Sequence, residues 1–457
     1  MSRQPFFDGL DPDSTITMAA AEERIRKYRQ SHFTLRFTDG EGKPRPHLQV
    51  ELELQSHAFQ FGANIGCIYR WGDVPDETRQ EALQVCDELF SLVRSGEQWS
   101  HVQPEIHASH DWQTILPEIE WARHHHKQIR YHCLIYNMAF ALPSWKDRIR
   151  SPQDWWPHIE HHLAETAARW QPVIHEYDVI NEMLSNERLR QLGLEPPSNF
   201  PDLSDPEIGA KIFEIAHRHF PSATLIPLED AWPGIISDPE LLQGTIDYFR
   251  ELCRLTPHVS AIGTQMHFYA AAGDRTPFHR GHPKFGPRAY TMAAIEEWLD
   301  RFAAIGLPLH ITEFNPPSRA RERSDEQPRL SEEEIAAWTT NFYTLVFSKP
   351  YIRQLVCWFL IDGVCGRGID AGLVSVDGRR KPLYHALREL IRRRWHTRIK
   401  VVTDEHGEVN FHGFHGHYRL TIDQLHTSVF LDPCHRELHL PVTENSILPP
   451  CPDSQHP

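Results

Sequence analysis

The chain has 457 residues, of which 40% are hydrophobic and 24% charged, enough apolar material for one large core and too much chain for one small domain. Its formal net charge of -15 sets the surface against a phosphate backbone and excludes nucleic acid as an expected partner. No run of eighteen apolar residues occurs, so no membrane-spanning helix is expected.

The opening MSRQPFFDGLDPDSTITM lacks the apolar stretch of a secretory signal. The eight cysteines (Cys67, Cys86, Cys133, Cys253, Cys357, Cys365, Cys434 and Cys451) form no CxxC pair, and several lie inside apolar runs. A reduced, cytoplasmic setting is expected for the chain as written, and a secreted one had a signal been removed.

In chain order, residues 20–31 read as a short charged helix. Residues 32–54 alternate apolar and polar on both sides of a Gly/Pro turn, which predicts a β-hairpin. Residues 1–56 are therefore an N-terminal helix-and-hairpin appendage. From 57 to 395, short apolar runs alternate with amphipathic helical stretches. The runs are 58–66, 89–93, 129–136, 174–182, 223–230, 259–269, 307–315 and 354–362. Several helical stretches open on Asp, Ser or Thr, and one stops at Gly306. Eight strand–helix units predict an α/β fold, a closed (β/α)8 TIM barrel. A doubly wound open sheet is the runner-up, but FGANIG after the first strand lacks the GxGxxG spacing. After Trp395 the helical period stops. Residues 396–457 read as a C-terminal β segment with a Pro-rich tail.

Catalytic groups of a barrel stand at the C-terminal ends of its strands. Strand three carries His132, strand four ends in Asn181-Glu182 and strand five in Glu229-Asp230. Strand six ends in Gln265-Met266-His267, strand seven in Glu313-Phe314-Asn315, and strand eight carries Trp358 and Asp362. Two glutamates that each follow a buried run, on strands across the mouth from one another, suit glycoside hydrolysis. That reaction needs one protonated and one ionised carboxyl group. Glu182 and Glu313 are the expected pair, with His267 and Asn315 placed to hydrogen-bond Glu313 and keep it ionised. His132 and His267 also fit satisfied core histidines, and Trp358 also fits simple packing.

YDVINE, AIGTQMHF, LHITEFN, RYHCLIYNMAFALPSW, VCWFLID and GLVSVDGRRKPLYHAL occur along residues 58–395. At these motifs the chain resembles the family-10 glycoside hydrolases, the endo-1,4-β-xylanases of clan A. The resemblance implies a retaining hydrolase of β-1,4-linked xylan or a related β-glycan. It implies Glu182 as acid/base, Glu313 as nucleophile, and His132, Asn181, Gln265, His267 and Trp358 at the sugar. The family's E-N-x-M-K-W after strand two is Ser95–Trp99 here, so only Trp99 of it is retained as a sugar contact, and its Trp-His after strand three becomes Tyr136-Asn137, with Tyr136 expected at the sugar as well. The family's Asp two residues after the nucleophile becomes Asn315, a supporting residue. The outer glycone grip is thus rebuilt, which leaves a catalytically inactive carbohydrate-binding protein as the alternative reading.

No cofactor is expected. His124–His126 and His158, His161, His162 lie in helical stretches and read as outward-facing and solvated. The first strand carries no HxH pair, so no catalytic metal is expected. The expected partner is an oligo- or polysaccharide. Segments 184–206 and 270–290 look longer than tight barrel loops, and such loops shape a cleft.

Overall fold

The computed structural model describes residues 12–70, 74–230, 238–268, 290–317, 331–363 and 370–443. The helix Pro12–Tyr28 leads into β1 (Gln30–Thr38) and β2 (Gln49–His57). The barrel strands follow: β3 (Gln60–Asn64), β4 (Leu92–Ser95), β5 (Gln128–Tyr131) with its continuation β6 (Ile135–Tyr136), and β7 (Glu176–Asn181). Then come β8 (Thr224–Asp230), β9 (Ile262–His267), β10 (Leu309–Asn315) and β11 (Ile352–Cys357). Among the described residues five strands follow the barrel: β12 (Arg398–Val402), β13 (Glu408–Phe414), β14 (Gly416–Ile422), β15 (Leu425–Leu431) and β16 (Glu437–Pro441).

The barrel strands are parallel and run β5-β4-β3-β11-β10-β9-β8-β7, and β5 pairs back onto β7 at Arg130↔Glu176 and Tyr131↔Tyr177. That last ladder leaves no edge. The closed (β/α)8 barrel expected from the alternation is the fold, and the open doubly wound sheet is not. Strand β10 is buried at every position and β9 likewise, which explains why these stretches read as continuous apolar runs.

The connecting helices carry the caps that their sequences announce. Asp205 and Asp238 accept from backbone N–H groups of the first turns that follow them, and Thr291 does the same. Ser331 and Glu334 form a reciprocal capping box at the helix Glu332–Ser348. Gly306 adopts φ +91° just past the helix Met292–Ala303, a conformation that favours glycine.

The hairpin expected over residues 32–54 is not what the structure holds. Its turn exists, with the Asp39 carboxylate accepting from the Glu41 and Lys43 backbone N–H groups at 2.9 Å. The strands then part. β1 lies between β13 and β16, and β2 between β12 and β14. A two-stranded ribbon is marginal in water. Parting gives each strand two neighbours and buries Phe33, Leu35 and Phe37 in one sheet and Val50, Leu52 and Leu54 in the other. Strand pairing between distant segments leaves no local trace in a sequence.

The terminal sheets are fastened to the barrel wall. The buried Arg29 guanidinium donates to the carbonyls of Phe347, Lys349 and Ile352, satisfying the C-terminal end of the helix Glu332–Ser348. Phe61, Phe347, Trp395 and Phe414 pack ring against ring at the same junction.

Segment 184–206 is longer than a tight barrel loop, as expected: the helix Met183–Gln191 begins directly after Glu182, and irregular chain follows it to Pro206. Residues 270–289, the 444–457 tail, Cys365 and Cys451 lie outside the described residues. Among the described residues no helix is long and apolar enough to cross a membrane.

Candidate active site

Strand β7 delivers Asn181 and then Glu182 to the mouth of the barrel. Glu182 is the residue where strand turns into helix. Its backbone is left-handed, φ +51° and ψ +53°, and its N–H donates to the Leu228 carbonyl at 2.7 Å. Its carboxylate accepts from the Tyr136 hydroxyl at 2.7 Å and from Gln265 Nε2 at 2.9 Å. Burial, and next the charge of Glu313, push the Glu182 carboxyl above its ordinary pKa.

Glu313 projects from β10 and is 4% exposed. His267 Nε2 lies 3.1 Å from Glu313 Oε2, while His267 Nδ1 lies 2.5 Å from Asn315 Oδ1. Both ring nitrogens therefore face oxygen atoms. His132 Nε2 lies 3.5 Å from Glu313 Oε1. Burial raises the Glu313 pKa, but His132, the His267 hydrogen bond and the Arg94 charge outweigh it and hold the carboxyl below its ordinary value. The two glutamates are thus driven apart in opposite directions.

Gln265 ties them together. Its Nε2 lies 2.9 Å from Glu182 Oε1 and 3.1 Å from Glu313 Oε1, so these oxygens are separated by at most the sum of the two distances, about 6 Å. The same nitrogen lies 3.2 Å from Asn181 Oδ1. Trp358 closes the floor, its ring edge-on to His132 at 5.6 Å and to His267 at 6.1 Å.

Of the residues singled out in the sequence, the structure brings together Glu182, Glu313, His132, Asn181, Gln265, His267, Trp358, Tyr136 and Asn315. It does not bring Trp99. That indole is 2% exposed, donates to Gln103 Oε1 at 2.7 Å, and packs against Trp145, Trp155 and His162. The one acid of the segment carrying it, Glu97, is tied to Arg70, which also holds Glu118 of the helix Leu116–His124. Ser95 donates to Glu118 at 2.7 Å. One helix histidine also needs a correction, while His124 and His126 are exposed as expected. His162 is fully buried, stacked on Trp99, with Nε2 2.9 Å from the Leu134 carbonyl. An imidazole on the inner face of a helix packs as an aromatic once its nitrogens find partners.

Three residues at the site carried weaker signals. Asp178, fully buried in β7, accepts from Arg130 Nε at 3.0 Å and lies 2.7 Å from His132 Nδ1. It shows in the sequence only as one acid inside EYDVIN. Arg94 donates to the His132 carbonyl at 3.0 Å and stands 5.2 Å over the Trp358 ring. A lone arginine in LVRS has no readable role. Glu229 was visible as a strand-end acid, but nothing local says what it holds.

The family model described as Glycosyl hydrolase family 10 matches residues 54–389. The Anti-sigma-I factor RsgI6 of Acetivibrio thermocellus is 22% identical over 88% of this chain and 46% of its own length. Endo-1,4-beta-xylanase 2 of Arabidopsis thaliana is 22% identical over 71% of this chain and 26% of its own. The chain thus spans less than half the length of these curated relatives. Among solved structures, xylanase 10B from Thermotoga petrophila RKU-1 in complex with xylobiose superposes with TM-score 0.57 at 20% identity. The match covers 74% of this chain and 95% of that one. Native xylanase 10B from Thermotoga maritima gives TM-score 0.57 at 20% identity, over 74% and 96%. With the family model spanning the whole barrel, the chain belongs to glycosyl hydrolase family 10.

Proposed function

We propose that this protein is a retaining glycoside hydrolase that cleaves β-1,4-linked xylan or related β-glycan oligosaccharides. Glu182 serves as acid/base and Glu313 as nucleophile. The observation that carries the reading is the Gln265 amide, which bridges the two carboxylates and caps the separation of their nearer oxygens at about 6 Å. Retaining enzymes hold their carboxyls roughly 5–5.5 Å apart, whereas inverting ones leave about 6.5–9.5 Å for a water.

The electrostatics support the same assignment. Glu313, held ionised, attacks the anomeric carbon while Glu182 gives its proton to the glycosidic oxygen, and the C–O bond breaks with its electrons on the departing sugar. Water then cleaves the glycosyl–Glu313 ester and returns a proton to Glu182. Gln265 turns its N–H toward both reacting groups, and Tyr136 donates to Glu182 in its ionised form.

The test is hydrolysis of xylo-, gluco- and arabino-oligosaccharides, read by product length. Glu313→Ala abolishes turnover. Glu182→Ala loses activity on oligosaccharides and spares activated aryl glycosides, which need little acid help. Binding of xylo-oligosaccharide without any sugar release by the wild type overturns the reading. That outcome favours the non-catalytic carbohydrate-binding alternative, whose support is the inward-folded Ser95–Trp99 segment.

A further inference from the structure

The helix Met183–Gln191 begins one residue after the proposed acid/base, and this creates a conflict. A helix N-terminus leaves its first backbone N–H groups without partners, and the residue just before the helix normally supplies an oxygen to them. Here that residue is Glu182. Its side chain makes no capping bond, because its carboxylate is turned into the cleft toward Tyr136 and Gln265. The cap comes instead from the next strand. Glu229, on β8, is 2% exposed. Its Oε2 accepts from the Leu184 N–H at 2.8 Å, and its Oε1 from the Ser185 N–H at 3.2 Å and from the Ser185 hydroxyl. Oε1 also accepts from the Asp230 N–H at 3.0 Å.

We infer that Glu229 is a positioning residue for Glu182. It caps the helix in place of the acid/base, fixes the left-handed backbone at residue 182, and so leaves the Glu182 carboxyl free to face the leaving group. The inference rests on the hydrolase reading for its consequence and on hydrogen-bond geometry for its cause. The left-handed conformation persists in a residue with a side chain only when its surroundings impose it. Two constraints do so here: the Glu182 N–H on the Leu228 carbonyl upstream, and Glu229 on the first helical turn downstream. Burial, opposed by the Ser185 and backbone donors, leaves the Glu229 carboxyl raised to about 7, so the cap is itself a titrating group.

The substitution Glu229→Gln keeps the shape and replaces one acceptor oxygen with a donor that the Leu184 and Ser185 groups reject. Two readouts on the full chain test the inference. The first is hydrolysis of phenyl and 2,4-dinitrophenyl β-xylobiosides. A displaced acid costs most where the leaving group needs a proton, so kcat falls at least tenfold on the phenyl glycoside and less than threefold on the dinitrophenyl one. Equal loss on both, or no loss on either, overturns the positioning role. The second is amide hydrogen exchange at Leu184 and Ser185, which quickens at least tenfold in Glu229→Gln. Unchanged exchange overturns the cap whatever the activity, whereas a wild type inert on both glycosides overturns only the hydrolase reading. Where Glu229→Gln fails to fold, Ser185→Ala removes one donor to the same carboxylate and shows the same pattern at smaller size.

Discussion

Asp178 and Glu313 stand on opposite sides of one imidazole: His132 Nδ1 lies 2.7 Å from Asp178 Oδ2, and His132 Nε2 lies 3.5 Å from Glu313 Oε1. The first contact orients the ring and the second uses it. Asp178 also accepts from the fully buried Arg130, whose other arm donates to the Thr312 carbonyl at 3.1 Å. Replacing Asp178 with Asn leaves the buried guanidinium with only the longer pairing to Glu176 at 3.5 Å. Asp178→Asn is expected to destabilise the fold by about 3 kcal/mol and to lower kcat as His132 loses its orientation. Urea unfolding beside turnover on an aryl xyloside measures both, and a variant of wild-type stability contradicts the account.

The opposed shifts of the two glutamates set the pH dependence. In the proposed mechanism, turnover needs Glu313 ionised and Glu182 protonated. Activity is lost as pH falls through the lowered Glu313 value, and lost again as pH rises through the raised Glu182 value. Tyr136 donates to ionised Glu182 and so lowers its pKa. Tyr136→Phe should therefore move the alkaline limb of kcat/KM to higher pH and leave the acid limb in place. A shift in the other direction refutes the assigned hydrogen bond.

The same signs govern stability. Glu313, lowered in the fold, contributes stability that is present above its unfolded pKa and drains away as pH falls through its folded one. Glu313→Gln removes that dependence. Melting curves from neutral to acid pH should therefore fall less steeply for Glu313→Gln than for the parent chain.

Gln265 donates to both carboxylates from one nitrogen. Gln265→Leu removes the donor while keeping an apolar filling of similar size. The expected loss in kcat is about 10²–10³-fold, the scale seen when one preorganised donor is removed from a reacting centre. Loss confined to KM would place Gln265 in ground-state binding alone.

Trp99 offers the converse case. Its ring is locked among Trp145, Trp155 and His162. Trp99→Ala should cost about 3–5 kcal/mol of folding stability and leave KM unchanged in the fraction that stays folded. A raised KM at full stability would return Trp99 to the sugar site.

Much of the barrel was legible because each strand end coincides with a break in hydrophobic period, and the reactive residues sit at those breaks. Glu182, Gln265, His267 and Glu313 could be read as one group because the closed topology brings strand ends together. Trp99 could not be read: a tryptophan in SGEQW looks the same whether it meets a sugar or a core. Its surroundings are Gln103, Trp145, Trp155 and His162, and three of these come from distant parts of the chain. Arg94 and Glu229 were opaque for a related reason. Their partners are a neighbouring strand's backbone and a neighbouring helix's first turn, and single-sequence patterns carry no such pairing. The expected hairpin failed similarly, since local alternation identifies a strand but not its neighbour.

That parting of β1 and β2 has a consequence for how the molecule is made. Both strands leave the ribosome before the barrel, yet their partners β12, β13, β14 and β16 are synthesised after it. Ser31 meets His415 across 384 positions of chain. Until then two amphipathic strands wait with open edges, a hazard for aggregation during synthesis. Ending the chain at 395 would make that waiting state permanent, so such a truncation is expected to precipitate even though every barrel strand is present.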